Sequence, residues 1–90
     1  MINENDLIKI INKQLPEAQA VSIKEFYEDD SNGIWFKGSE DYCKTDDLPI
    51  FDYYQEFGHD IHPTLSKILD DAGWYGEPCD AGTLMAYKNN

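Results

Sequence analysis

Arginine is missing from this sequence: all seven basic residues are lysine, set against 18 acidic ones for a net charge of −11. A chain without guanidinium forks has no bidentate partner for phosphates or base edges, and its net field repels a polyanion. Direct binding of nucleic acid is therefore disfavoured, as is docking on an anionic membrane. Cysteine is almost as scarce. Cys43 and Cys79 alone fall far short of the dense framework that staples small secreted domains, so a disulfide is permitted but not implied.

No apolar run approaches the ~20 residues of a spanning helix. The opening Met1-Ile2-Asn3-Glu4-Asn5-Asp6 has neither the basic stretch nor the apolar stretch of a signal peptide, and the expectation is a cytoplasmic protein. The chain also lacks a Gly-rich phosphate loop, a G-x-S-x-G elbow and the spacing of an EF-hand, so it declares no reaction by motif.

What is present is enough apolar surface for one core. The chain has 90 residues, 41% of them hydrophobic, including four Phe, two Trp and six Tyr. That length closes a single domain, and the large side chains offset the entropy of ordering the backbone despite a charge typical of disordered chains.

The spacing predicts a helix over 4–15 with Asn3 as N-cap, Asp6 near its positive end, Ile2 stapled onto Leu7, and a buried stripe of Leu7, Ile8, Ile11 and Leu15. Pro16 ends it. Residues 21–27 and 34–37 are rich in β-branched and aromatic side chains, and a polar turn ending at Gly33 separates them, which reads as a β-hairpin. Ile50, Tyr53, Tyr54 and Phe57 fall at i, i+3, i+4 and i+7 between Pro49 and Gly58, so a short helix fits there, although these residue types favour strand. A further helix starts at Pro63, carries Leu65, Ile68, Leu69 and Ala72, and stops at Gly73 under Trp74. A closing hairpin runs from Trp74-Tyr75 to residues 83–87 through a turn at 78–82. The expected fold is a small single α+β domain of order α-β-β-(α)-α-β-β, with an antiparallel sheet of about four strands from two hairpins packed with two to three helices.

His59 and His62, with Cys43 and Cys79, form a nominal zinc set, but the cysteines are far apart and neither has a C-x-x-C partner. The simpler reading has His62 helping to start the last helix and His59 in the loop before it. A Cys79–His nucleophilic pair is opposed by Glu77 and Asp80, which raise the pKa of a neighbouring thiol. The adjacent acids Asp70-Asp71 and Asp46-Asp47 are read as solvated faces rather than acid–base pairs. No cofactor, metal or catalytic residue is assigned, and the chain is not expected to be an enzyme.

Charge distribution is the pattern that carries meaning. Residues 25–66 hold eleven acids and two lysines, nine of the net eleven negative charges. Glu28, Asp29, Asp30, Glu40, Asp41, Asp46, Asp47, Asp52, Tyr53 and Glu56 are the expected partner-binding residues, with Asp60 at the end of the same stretch. Phe and Tyr are interleaved among them, more than so small a core takes up, so some tyrosines are expected as surface anchors. In size, acidity and want of catalytic motifs the chain resembles two groups of small acidic inhibitors: the phage-encoded nucleic-acid mimics that block restriction or CRISPR machinery, and the immunity proteins that neutralise nuclease toxins. That likeness implies a basic protein partner, a nucleic-acid-binding protein or nuclease. The competing expectations are a small Cys/His metal protein or enzyme, and an accessory domain whose acidity has no special meaning.

Overall fold

The computed structural model describes residues 3–27, 32–55, 58 and 60–89. Four antiparallel strands form one sheet in the order β1-β2-β4-β3, with helices α1 and α3 against it. The strands are β1 (Ala20–Ser22), β2 (Ile34–Phe36), β3 (Trp74–Asp80) and β4 (Thr83–Lys88). The two hairpins join through β2 and β4, where Ile34 faces Ala86 and Phe36 faces Leu84.

α1 spans Glu4–Gln14. The Asp6 N–H donates to Asn3 Oδ1, satisfying one of the free N–H groups of the first turn. Leu7, Ile11 and Leu15 are buried, with Ile8 packed on the same core. The Ile2–Leu7 staple lies outside the described residues. Pro16 stops the helix and opens a single 3-10 turn, Pro16–Ala18.

α3 spans Pro63–Ala72 and buries Leu65 and Leu69, with Ile68 and Ala72 at the margin of the core. Gly73 takes the left-handed conformation at φ 78°, and its N–H reaches the carbonyls of Leu69 and Asp70. Trp74, almost fully buried, follows directly. This is the stop expected of a glycine beyond the last turn.

Three expectations are corrected. The strand expected over 21–27 ends at Ser22, because the Ile23 N–H closes onto Gly33 O and Lys24–Tyr27 coils into a one-turn helix, α2. The helix fitted to Ile50–Phe57 is not formed among the described residues: Ile50 donates to Asp41 O, Phe51 bridges Ile61, and Tyr53 and Tyr54 point outward instead of sharing a buried stripe. The turn expected over 78–82 is tighter, since β3 runs on to Asp80 with a bulge between Pro78 and Asp80. Pro78 lies on an edge strand, where its missing N–H costs nothing.

Gly38 fixes how the end of β2 meets the 3-10 turn. Its N–H donates to Ala18 O, and a Cβ there would lie 1.8 Å from Glu17 O. Among the described residues, no helix is long and apolar enough to cross a membrane.

Candidate functional site

The connection from β2 to α3, residues 37–62, carries most of the acids expected to bind a partner. Among its described residues there is neither helix nor named strand, and the chain is pinned at two buried anchors. The first loop closes where Tyr42 bridges Pro49, with the Cys43 N–H donating to Leu48 O and the Asp47 N–H to Cys43 O. The second closes where Phe51 bridges Ile61, with the Asp52 N–H donating to Asp60 O. Cys43, Ile50 and Phe51 point into the core. The apolar anchors therefore fix the base of each loop and leave the polar residues between them in water.

Glu40, Asp41, Asp46 and Asp47 are exposed, and Asp52 is half-buried. Asp41 accepts a hydrogen bond from the Gln19 side chain, and Glu40 packs its carboxyl over Gly82 in the β3–β4 turn. Asp47 holds a left-handed conformation at φ 61°, which Asp tolerates better than most residues. Among the described residues, no lysine ammonium lies within 4.0 Å of the carboxylates of Glu40, Asp41, Asp46 or Asp47. Tyr53 is 49% exposed and meets the rings of Phe51 and Tyr54 edge-on, and Tyr54 is 72% exposed. Tyr42 lies on the same connection, also half in water. Glu28, Asp29, Asp30 and Glu56 lie outside the described residues.

Residues that sequence reasoning did not select also shape this face. The Lys44 N–H donates to Glu17 Oε2 at 2.6 Å, which holds Glu17 below the usual carboxylate range. Pro16, Glu17, Gln19, Asp41, Tyr42 and Lys44 surround a shallow depression of about 500 Å³. The 27-residue separation of Glu17 and Lys44 left no signal in the sequence.

Beneath the first loop, Cys43, Asp46 and His62 bring their polar atoms within 4.8 Å of one another. Two of these, Cys43 and His62, belong to the nominal zinc set; Cys79 is exposed on β3 and His59 is outside the described residues. Both cysteines are free thiols. His62 caps α3: its Nδ1 accepts the Thr64 N–H at 3.1 Å, as expected of a residue that helps start the helix. The other nitrogen, Nε2, lies 2.8 Å from Asp46 Oδ2. Asp46 is held below the usual carboxylate range first by the Leu48 N–H, with His62 and Cys43 adding to it against the opposing effect of burial.

These bonds decide the chemistry of the trio. An acceptor at Nδ1 requires a lone pair there, so the neutral ring carries its proton on Nε2 and donates it to Asp46. A metal on Nε2 would need that proton to move to Nδ1, against the Thr64 N–H. A proton taken from Cys43, as a thiolate nucleophile would need, could be held on Nδ1 only at the expense of the Thr64 bond. As arranged, the trio is a joint between the acidic connection and α3. No family model, curated protein or solved structure matches this chain.

Proposed function

We propose that this chain is a small acidic binding protein that inhibits a nucleic-acid-handling partner by seating the 38–54 face on the partner's basic surface. The observation that carries this reading is the exposure of Glu40, Asp41, Asp46 and Asp47, none of them ion-paired to a lysine among the described residues, on loops whose bases are buried. Anchored loops hold charge in place before binding, so less entropy is lost on association than with a disordered acidic tail. Tyr42, Tyr53 and Tyr54 add exposed rings beside these acids. Rings of this kind serve as anchors at interfaces and accept lysine or arginine on their faces. The depression between Glu17, Asp41 and Tyr42 has room for one such basic side chain. Complementary fields would speed the encounter and steer it.

The test is capture of partners from the native host on the immobilised full chain, followed by competition with DNA or RNA on the purified complex. A partner with a basic groove, displaced by nucleic acid, is the expected result. Capture that nucleic acid leaves untouched would overturn the mimicry.

A further inference from the structure

His62 is 2% exposed, and its ring does two opposite jobs. Nδ1 accepts the Thr64 N–H that caps α3, while Nε2 faces a carboxylate, which only accepts. The neutral ring is thereby held in one tautomer, and the only atom left for a second proton is Nδ1. Among the described residues, the titratable groups facing the ring are the Asp46 carboxylate and the Cys43 thiol, both from the acidic connection. From α3, the ring meets the Thr64 amide.

We propose that His62 is a proton-operated latch between α3 and the acidic connection. A proton on Nδ1 sets two N–H donors against each other, so the Thr64 bond is lost. The same proton makes the ring cationic and strengthens its hold on the Asp46 carboxylate, since charge-assisted bonds are the stronger kind. Protonation therefore transfers the ring from the helix to the loop. The first turn of α3 is left without its cap. Any effect on partner binding rests on the proposed function; the latch itself does not.

The experiment follows His62 and Thr64 by NMR in the full chain, without a partner, so that its failure stands apart from failure of the binding reading. His59→Gln assigns the ring signals. At high pH the ring nitrogens should report the Nε2–H tautomer. As His62 gains its second proton, Thr64 amide exchange, corrected for its intrinsic pH dependence, should speed about fivefold, the factor that loss of a helix cap implies. His62→Asn keeps a strong capping side chain that does not titrate, and its Thr64 exchange should not respond. An Nδ1–H tautomer at high pH would overturn the latch, as would Thr64 protection that holds steady through the titration. So would an equal response in His62→Asn. If that variant fails to fold, the two measurements on the His59→Gln chain decide.

Discussion

The side chain of Asn12 holds both backbone groups of Ala20: its Nδ2 donates to Ala20 O at 2.9 Å, and the Ala20 N–H donates to its Oδ1 at 2.8 Å. β1 is an edge strand, paired with β2 alone. Asn12 thus imitates a neighbouring strand for one residue and ties the sheet to α1, closing an edge that would otherwise be open to pairing. Asn12→Ala removes both bonds at a partly buried site. The expected cost is about 1–3 kcal/mol in urea unfolding, with the denaturant slope unchanged. A midpoint equal to that of the parent would show that water replaces the amide at no cost.

Leu69 is 2% exposed, on the face of α3 turned to the sheet. Leu69→Ala leaves a cavity among packed neighbours, and the expected loss is about 2–5 kcal/mol, a large share of a small domain's stability. The check is a thermal melt. A melting temperature within a degree of the parent would mean that this helix face does not form the core.

The helices were readable because their signals are local. Asn3 with the Leu7, Ile11 and Leu15 stripe marks α1, and Pro63 with Gly73 brackets α3, all within one segment each. The middle of the chain was not readable, because partners distant in sequence decide it. Ile50, Tyr53, Tyr54 and Phe57 have helical spacing, yet Ile50 is claimed by Asp41 O and Phe51 by Ile61, which leaves Tyr53 and Tyr54 outside. Likewise, strand propensity in residues 21–27 yields where Ile23 closes on Gly33. The exposure of Glu40, Asp41, Asp46 and Asp47 followed from composition, but the role of Asp46 as a joint did not. His62 next to Pro63 was the available clue that an imidazole stood at the capping position; its partner, 16 residues upstream, was not marked.

Gly38 has no room for a side chain, since a Cβ would fall on the Glu17 carbonyl, which is backbone and cannot swing aside. Gly38→Ala must push the Pro16–Ala18 turn away from β2 and stretch the Gly38 N–H to Ala18 O bond. Overpacking of this kind costs about 1–3 kcal/mol. The displacement should also appear as amide shift changes at Glu17, Ala18 and Lys44. Gly58→Ala is a useful contrast, because nothing lies within 4 Å of its added Cβ and the cost there comes from its φ of 88° alone. Equal shift patterns in the two variants would refute the contact.

Acid should loosen the attachment of the first loop in a defined order of sign. Glu17 is lowered from 4.5, chiefly by the Lys44 N–H, and Asp46 from 3.8, chiefly by the Leu48 N–H. A carboxylate lowered on folding adds stability that is fully present above its unfolded value and is lost as pH falls through the lower folded value. Unfolding free energy should therefore begin to decline as pH drops below 4.5 for Glu17 and below 3.8 for Asp46. Both groups are exposed, so solvent screens the effect. Glu17→Gln and Asp46→Asn should each flatten the acid limb of the stability profile relative to the parent chain. Limbs of identical slope would mean that these bonds do not differ between the folded and unfolded states.

The binding proposal makes a charge prediction that separates site from field. At physiological salt, exposed charges are screened beyond about 8 Å, so only acids brought against the partner weigh heavily. One variant replaces Glu40, Asp41 and Asp47 by their amides; a second does the same to Glu25, Asp70 and Asp71, also exposed but outside the 38–54 face. Asp46 is left alone in both, because its bond to His62 would confound binding with folding. Each variant loses three negative charges, so a mere attraction to net charge weakens equally in the two. Contact at the connection instead predicts a dissociation constant raised at least tenfold in the first variant, about 1.4 kcal/mol, with a shallower dependence on salt. The second variant should stay close to the parent. Titration calorimetry of the captured partner across a salt series measures both quantities, and matched losses in the two variants would reduce the acidic face to a generally solvated surface.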